Sequence, residues 1–321
     1  MTRRQRRCHW DAPRSIGNWQ PAKIYVILFF MKNSFHPYAA TTILVWALAF
    51  PLTKLALESF SPFSLGFLRY AAASVALLAL CLITRMPLPK MRDLPWFALA
   101  GLTGFFLYMV AFNTGMLRGV TSATSSVIIA GVPVITAGLA TLFFRERLRG
   151  IQWFAIVVEF MGVLILALYG AVFTTNIGTL WLILSALLVS CYNLLQRRLT
   201  RTYSALQVTA YSVFAGTILL AIFAPGAARE LPAAPLSAMV YVLILGLLSS
   251  AVGYIAWAKA FQKAERTSQA ANYMFFTPFL AGLLGFLFAG EVPDASTWIG
   301  GGVILLGAGL FNWTGRKRNA D

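Results

Sequence analysis

Two ionisable side chains lie well inside long apolar runs of this 321-residue chain, where a charge is costly. Arg69 comes about seven residues into the run 62–84, or ~10 Å along a helix that rises 1.5 Å per residue. A cation at such a depth usually faces a polar interior, so Arg69 is a candidate to attract a carboxylate or a phosphate. The alternative is a structural arginine that binds backbone carbonyls or extends towards the nearest water.

Glu159 is the acidic residue at the centre of the apolar run 151–170. Because apolar surroundings disfavour an ionised carboxylate, Glu159 is a candidate to bind and release a proton. In the alternative interpretation, a neutral carboxyl group forms a hydrogen bond to a neighbouring helix and has only a structural role.

Six aromatic and amide side chains fall in two sets at similar depths of the apolar runs. The first set is Tyr108 and Asn113, and the second is Tyr254, Trp257, Asn272 and Tyr273. The two sets could line one central cavity. Tyr and Trp are also common where a membrane meets water, and this alternative stays open.

Two prolines and two glutamates occupy matching positions in two apolar stretches. Pro133 and Pro278 fall inside apolar runs, where a proline removes a backbone hydrogen bond and bends the helix. We expect each bend to act as a hinge or to line a cavity, with a static packing kink as the alternative. Glu146 and Glu291 come where the same runs end, and we expect them to hold the following loop and helix.

These matches belong to an internal repeat. PVITAGLATLFFRERLRGIQWFAIVVEFMG over residues 133–162 corresponds to PFLAGLLGFLFAGEVPDASTWIGGGVILLG over residues 278–307. In both copies a Glu follows the initial Pro by 13 residues, a Trp follows it by 20, and a Gly ends the stretch. Repeats in an apolar chain are typical of secondary transporters, which bind their substrate between two related halves. In such a protein, Glu159 would be a candidate for the coupling proton.

The composition indicates an all-α polytopic membrane protein. Hydrophobic residues make up 59% of the chain and charged residues only 11%, against about 25% charged residues in soluble domains. Ten runs are long enough to cross a ~30 Å hydrocarbon layer. They are residues 38–57, 62–84, 94–117, 121–144, 151–170, 177–196, 205–224, 236–261, 268–289 and 296–314.

The basic residues predict the orientation. With ten spans, 21 Lys and Arg residues lie on the side of the two termini and 3 lie on the other side, so both termini are predicted to be cytoplasmic. The net charge of +16 therefore reports membrane topology, and we expect no nucleic-acid partner. Five spans in each half give the halves opposite orientations in the membrane, an arrangement that favours alternating access.

The predicted organisation has four parts. Residues 1–36 form a basic, disordered cytoplasmic tail, residues 37–171 the first five-helix repeat, residues 176–314 the second, and residues 315–321 a short basic tail. Residues 1–30 lack apolar periodicity and contain no signal-peptide pattern. Met31 precedes the first span directly and is an alternative start of translation.

Several segments resemble the EamA domain of the drug/metabolite transporter superfamily. WALAFPLTKLAL and SPFSLGFLRYAAASVALL are similar to the opening of that domain, and TSATSSVIIAGVPVITAGLATLFFRERLRGIQWFAIVVEFMGVLIL is similar to its end. TSQAANYMFFTPFLAGLLGFLFAGEVPDASTWIGGGVILLG resembles the end of a second copy, whereas residues 177–224 match its opening weakly. The resemblance covers residues 38–314. It implies ten helices in inverted repeats and the export or exchange of small solutes. The solutes of family members include amino acids, sugars, nucleotide derivatives and drugs.

Two other classes were weighed against a transporter. A membrane enzyme would need catalytic groups inside the spans, but Asp occurs only at positions 11, 93, 294 and 321, the chain has two His, and neither a Gly-x-Ser-x-Gly elbow nor a phosphate-binding loop is present. Three cysteines offer no metal or disulfide spacing. A membrane scaffold would give no reason for inverted halves with bent helices.

The sequence therefore predicts a non-enzymatic secondary transporter, an exporter or exchanger of small organic solutes in the cytoplasmic membrane. The expected partners are the solute, the lipid bilayer and, as a candidate, protons, without a metal or another cofactor. The substrate, the coupling ion and the oligomeric state stay open at this point.

The predicted topology can be tested by labelling single introduced cysteines from either side of the membrane. We expect residues 88, 148, 200 and 320 to react from the cytoplasm and residues 60, 174, 230 and 293 to react from outside, because of the bias in basic residues. Labelling of residue 174 from the cytoplasm alone would contradict the inverted arrangement of the halves.

Overall fold

The computed structural model describes residues 34–144, 150–168, 176–263, 272–293 and 295–317. These residues form helices and the turns between them, with no β-strand among them. Glu146 and most of the predicted N-terminal tail lie outside the described residues. The prediction of an all-helical protein is confirmed for the described part of the chain.

The described residues of the first half form six helices. They are α1 (His36–Ala56), α2 (Pro62–Ile83), α3 (Leu94–Gly101, Leu102–Leu107 and Tyr108–Leu117, in one continuous run), α4 (Ser122–Ala130), α5 (Val132–Phe144) and α6 (Gly150–Leu168). The middle segment of α3 is a π-helical stretch. A short 3₁₀ turn, Met91–Asp93, precedes α3.

Five helices are described in the second half. They are α7 (Ile177–Leu199), α8 (Ala205–Leu220, extended through Ala221–Phe223 to Ala224–Glu230), α9 (Leu236–Ile244, Leu245–Val252 and Gly253–Lys263), α10 (Thr277–Ala289, preceded by the 3₁₀ segment Asn272–Phe276) and α11 (Ala295–Lys317). The middle segment of α9 is again π-helical.

Within the described ranges, six helical stretches are long and apolar enough to cross a membrane. They are His36–Ala56, Pro62–Ile83, Met91–Leu117, Ile177–Leu199, Ala205–Ala233 and Leu236–Ala260. Four shorter apolar stretches accompany them, at Ser122–Thr136, Trp153–Gly162, Thr277–Ala289 and Thr297–Gly307.

Two helix boundaries differ from those predicted. The predicted run 121–144 is divided into α4 and α5, with Gly131 between them. The predicted run 205–224 continues as helix to Glu230, because Pro225 enters in the first turn of the segment Ala224–Glu230 after a 3₁₀ turn. A proline is tolerated there since the first N–H groups of a helix have no partner within it.

Hydroxyl and amide side chains begin several of the helices. The side chains of Ser61, Thr121, Asn176 and Ser204 each accept a hydrogen bond from a backbone N–H in the first turn of the helix that follows. Ser204 forms a reciprocal capping box with Gln207. Such caps satisfy N–H groups that would otherwise lack partners, which matters most beside a membrane.

Two carboxylates reinforce these caps from neighbouring helices. Glu230, which ends α8, accepts a hydrogen bond from the backbone N–H of Ser61 at 2.9 Å. Glu291, just after α10, accepts one from the backbone N–H of Ser122 at 2.8 Å. Both contacts lie at the end of the bundle where α1 ends and α2 begins, which we call the Lys54 end.

The opposite end of the bundle is tied by Tyr203, in the turn between α7 and α8. Its hydroxyl donates to Asp93 Oδ2 at 2.7 Å and accepts from the backbone N–H of Lys90 at 3.0 Å. The tie joins the beginning of α3 to the turn between α7 and α8, so both halves of the chain contribute to it. We call this the Asp93 end.

Close packing of helices depends on glycines whose Cβ would overlap a neighbour. A Cβ on Gly216 of α8 would lie 2.4 Å from the Cβ of Phe105 and 3.0 Å from the carbonyl oxygen of Gly101, both on α3. Small residues let helix backbones approach closely within a membrane, where no hydrophobic effect drives helices together. By contrast, a Cβ on the exposed Gly302 of α11 would meet nothing within 4 Å.

We expect Gly216→Ala to lower the free energy of unfolding of the purified protein, and with it the melting temperature. The expected loss is about 1–3 kcal/mol, the usual range for overpacking a well-packed contact. Gly302→Ala is the matched control and should be neutral or slightly stabilising, because alanine has the higher helix propensity. Equal melting temperatures for the two variants in detergent would contradict this account of the α3–α8 contact.

Candidate functional site

A cavity lies between the two halves of the chain, next to the π-helical stretches of α3 and α9. Tyr108 directly follows the first stretch, and Tyr254 comes two residues after the second stretch ends at Val252. Both tyrosines line the cavity. A π-helical turn shifts the side chains that follow it around the helix axis and is frequent at functional sites.

The cavity is small and mostly apolar, with a volume of about 70 Å³. This is room for a few water molecules and is below the usual size of small-molecule sites, ~300–1,000 Å³. The lining residues are Trp46, Ala49, Phe50, Arg69, Tyr108, Phe112, Ile129, Ala130, Val132, Val189, Tyr192, Asn193, Tyr254, Trp257, Met274 and Thr277.

Arg69 is the charged residue among the described lining residues. Its side chain is 5% exposed, and its Nε donates a hydrogen bond to the hydroxyl of Ser250 at 2.7 Å. The guanidinium carbon lies 5.7 Å from the centre of the Tyr70 ring. Within the described part of the chain, no carboxylate forms an ion pair with Arg69. The cation is therefore held by neutral groups at the edge of an apolar cavity.

Tryptophan and tyrosine rings form one wall of the cavity. The Trp46 ring lies 5.2 Å from that of Tyr254 and 5.3 Å from that of Trp257, measured between centroids. The indole N–H of Trp46 donates to the backbone carbonyl of Ser249 at 3.1 Å, which fixes the ring. On the other side, Phe112 packs against Phe50 at 5.6 Å and against Tyr108 at 5.7 Å. The faces of such rings attract cations.

Four of the candidate residues from the sequence come together at this cavity. They are Arg69, Tyr108, Tyr254 and Trp257. They come from α2, α3 and α9, so both halves of the chain contribute.

Two other candidates lie elsewhere. Asn113 is buried and its amide donates to the backbone carbonyl of Pro62 at 2.9 Å, which ties α3 to the beginning of α2. The Tyr273 hydroxyl forms a hydrogen bond with His36 Nδ1 at 2.6 Å, beside the beginning of α1. The Asn272 side chain lies outside the described residues.

Pro133 and Pro278 each enter in the first turn of a helix that follows an irregularity. Pro133 is the second residue of α5, after the break at Gly131, and Pro278 is the second residue of α10, after the 3₁₀ segment. The break at Gly131 lines the cavity through Ile129, Ala130 and Val132.

Glu159 lies in α6, away from the lining of the cavity. Its side chain is 5% exposed, and its Oε1 has no hydrogen-bond partner among the described residues. A Cβ on Gly131 would lie 3.8 Å from Glu159 Oε2. The carboxyl group therefore faces the break between α4 and α5.

Glu291 binds two helices at the Lys54 end. Besides accepting from the Ser122 N–H, it forms an ion pair with Lys54 of α1. The Glu291 side chain is 9% exposed and that of Lys54 is 32% exposed. A single carboxylate after α10 thus connects the end of α1 to the beginning of α4.

Four residues at the site were not predicted from the sequence. Trp46 had a signal, because it opens the WALAFP stretch that resembles the EamA domain. Ser250 belongs to a pair of serines inside an apolar run, and Tyr192 and Asn193 form a polar pair inside another. Such pairs mark polar positions in a span, but they do not reveal which residue they face.

The Lys54–Glu291 pair generates a prediction about access to the cavity. The reporter is a single cysteine in place of the cavity residue Ala49, in a protein without its own cysteines. We expect Glu291→Gln to make this cysteine react about fivefold faster with a membrane-impermeant reagent added from the Lys54 end. The reason is that glutamine keeps an acceptor for Ser122 but loses the ion pair, worth about 1 kcal/mol.

Glu230→Gln is the matched control, because Glu230 accepts from Ser61 in the same manner without an ion pair among the described residues. Its labelling rate should equal that of the unmodified protein. An equal increase in both variants would assign the effect to capping and would rule out the ion pair as its cause.

Comparisons with known proteins agree with this architecture. The EamA-like transporter family matches the chain twice, over residues 35–168 and 176–313. A protein of Bacillus subtilis named "Uncharacterized transporter YdfC" is 31% identical over 272 residues, which are 84% of this chain and 87% of that protein. A protein of Streptantibioticus cattleyicolor named "Probable terminal-alkyne amino-acid exporter" is 33% identical over 285 residues, which are 87% of this chain and 94% of that protein.

More distant similarities support the same fold. A protein of Escherichia coli named "Uncharacterized inner membrane transporter YedA" is 25% identical over 268 residues, which are 82% of this chain and 85% of that protein. A protein of known crystal structure superposes with a TM-score of 0.60 at 20% identity, covering 87% of this chain and 97% of the other. The chain belongs to the EamA-like transporter family.

Proposed function

We propose that this protein is a secondary transporter that exports or exchanges small organic solutes across the cytoplasmic membrane by alternating access. The observation that carries the proposal is Arg69, a buried cation without an acidic partner among the described residues, at the edge of an aromatic cavity between the two halves. In this proposal ten helical spans form two inverted halves of five, and both termini are cytoplasmic.

Features that recur in both halves support the inverted arrangement. α3 and α9 each contain a π-helical stretch just before a cavity tyrosine. The second residue of α5 and of α10 is a proline, after a break in one case and a 3₁₀ segment in the other. A protein with two related halves around one site has two packings of similar energy, each open to one side.

A carboxylate is the solute group that best fits Arg69. A guanidinium binds a carboxylate through two parallel hydrogen bonds. The Nε of Arg69 already donates a hydrogen bond to the hydroxyl of Ser250. A phosphate carries about two negative charges, and the described lining residues offer one cation for it. We therefore favour a carboxylate over a phosphate as the recognised group.

The aromatic wall fits a second feature of such a solute. The rings of Trp46, Tyr254 and Trp257 can contact an ammonium group through their faces or an apolar side chain through their area. Together with Arg69 these contacts suit an amino acid or a related zwitterion. The name of the Streptantibioticus cattleyicolor relative, an amino-acid exporter, supports this class of solute.

The size of the cavity supports a cycle in which helices move. A volume of about 70 Å³ is smaller than an amino acid with a side chain, so a bound solute requires the walls to separate. The ion pair between Lys54 and Glu291 holds α1 near α4 at the Lys54 end, which the basic residues predict to be the outer side. We propose that this pair breaks when the site opens outwards.

The experiment is counterflow of a radiolabelled mixture of L-amino acids into liposomes that contain the purified protein. We expect Arg69→Gln to reduce the initial rate about 10- to 100-fold, because a hydrogen bond to a charged group is worth about 1.5–3 kcal/mol. Arg69→Lys should keep a part of the activity, since lysine retains the charge but not the planar fork.

Arg118→Gln is the control, because Arg118 is an exposed arginine outside the cavity. Its counterflow should match that of the unmodified protein. If Arg69→Gln transported the mixture at the unmodified rate, the carboxylate site would be wrong. If the unmodified protein showed no counterflow of any solute, the proposed transport itself would be contradicted.

A further inference from the structure

Glu159 lies behind the wall of the cavity, on the other face of a broken helix. The break at Gly131 separates α4 from α5, and its residues Ile129, Ala130 and Val132 line the cavity. Glu159 approaches the same break from α6, with its Oε2 3.8 Å from the position of a Cβ on Gly131. The broken helix is thus the physical connection between the carboxyl group and the solute site.

The carboxyl group has apolar surroundings. Its Cγ lies 2.8 Å from the position of a Cβ on Gly307 of α11, so the side chain is pressed against the backbone of that helix. Oε1 has no hydrogen-bond partner among the described residues, although the side chain is almost fully buried. A buried acid without a donor or a counter-ion is held far more easily in its protonated form.

The helices packed against α6 offer no counter-ion in the described part of the chain. α4 and α5 contain no ionisable residue. The ionisable groups of α7 and α11 are Cys191, Tyr192, Arg197, Arg198, Arg316 and Lys317. Tyr192 lines the cavity, and Arg198 stacks on Trp96 of α3. The only ion pair among described residues joins Lys54 to Glu291. The two basic residues of α11 come about 13 Å or more beyond Gly307 along the helix axis.

The break supplies backbone acceptors for a protonated carboxyl group. Pro133 has no N–H, so the carbonyl of Ile129 lacks the donor that a regular helix would provide. The carbonyl oxygen of Ile128 lies 3.3 Å from the Cβ position on Gly131 that Glu159 Oε2 also approaches. This oxygen accepts the Gly131 N–H at 3.2 Å and has a second lone pair for another donor. A small shift of α6 would bring the O–H of a neutral Glu159 onto one of these carbonyls.

The repeat makes this acid a feature of one half only. Counting along the repeat, Glu159 corresponds to Ile304 and Gly162 to Gly307. The packing is reciprocal, because Glu159 presses on Gly307 while the Ile304 side chain lies 2.6 Å from a Cβ position on Gly162. The two helices therefore meet about a local two-fold axis, and only one of the two equivalent places holds an ionisable group.

We propose that Glu159 is the proton-binding site of the transport cycle and that it acts on the solute cavity through the break at Gly131. This inference rests on the proposed transport function. When protonated, the carboxyl group shifts slightly, donates its O–H to a backbone carbonyl of α4 and so stabilises the break. When the O–H bond ionises, the proton passes to water on the open side, the donor is lost, and the anion must move towards water. Because the break forms part of the cavity wall, this movement changes the cavity.

The test compares driven and undriven transport of a radiolabelled mixture of L-amino acids in liposomes, with the membrane potential clamped at zero. At one proton per solute, a gradient of one pH unit supports about a tenfold accumulation of solute in the unmodified protein. In Glu159→Gln we expect accumulation to fall to about onefold, while counterflow at equal pH stays within about twofold of the unmodified rate.

Two further variants separate ionisation from packing. Glu159→Asp keeps an ionisable group and should restore a part of the accumulation. Ile304→Leu changes the packing at the equivalent place of the other half and should accumulate solute like the unmodified protein. An infrared difference spectrum should show the band of a protonated carboxyl group that disappears in Glu159→Gln and shifts when the amino acids are added.

Accumulation in Glu159→Gln equal to that of the unmodified protein would overturn the inference and leave the transport proposal intact. Counterflow without pH-driven accumulation in the unmodified protein would also overturn the inference and leave the transport proposal intact. If Glu159→Gln lost counterflow as well, the infrared band of the unmodified protein would decide between the two roles of Glu159. A carboxyl band that does not shift when the amino acids are added would overturn the inference. Absence of counterflow in the unmodified protein would instead contradict the proposed function.

Discussion

The hydrogen bond from Arg69 to Ser250 joins the two halves of the chain inside the helix bundle, far from bulk water. Hydrocarbon provides no hydrogen bonds, so every polar group at this depth must find its partner within the protein or in a solute. Arg69 finds a neutral hydroxyl for one of its donors and no carboxylate among the described residues. Such a cation attracts an anion strongly, and in the proposed function that anion binds in the cavity beside it.

The same constraint explains why irregular backbone occurs where it does. The π-helical stretches of α3 and α9, and the break between α4 and α5, all lie beside the cavity or form its wall. Irregular backbone at membrane depth is tolerated where it is buried in protein or lines a cavity. These segments depart from regular α-helical geometry, so the proposed solute site lies beside the irregular points of the fold. In the proposed cycle, Glu159 behind the break links this arrangement to the protonation of a buried acid.

Much of the architecture could be predicted from the sequence, because it depends on composition and on a repeat that is visible by eye. The apolar runs predicted the helices. The depth of Arg69 in its run indicated a polar interior, whereas the cavity that Arg69 lines is mostly apolar. The direction of a side chain was less predictable, since each residue turns it by about 100° around a helix with 3.6 residues per turn. At 3.6 residues per turn, Asn113 lies about one and a half turns beyond Tyr108. The Asn113 side chain ties two helices, whereas the Tyr108 side chain lines the cavity. The π-helical stretches have no simple sequence signal, and they alter the very rotation on which such assignments depend.

The central claim is that the cavity recognises a carboxylate through Arg69. The most direct measurement is the melting temperature of the purified protein with each of a series of L-amino acids and with the corresponding L-amino-acid amides, in which the carboxylate is replaced by a neutral group. The account predicts that at least one amino acid stabilises the protein in a concentration-dependent manner, as expected for a ligand that binds only the folded state. The matching amide should have no effect, and Arg69→Gln should abolish the stabilisation. Equal stabilisation by an amino acid and its amide would contradict the account.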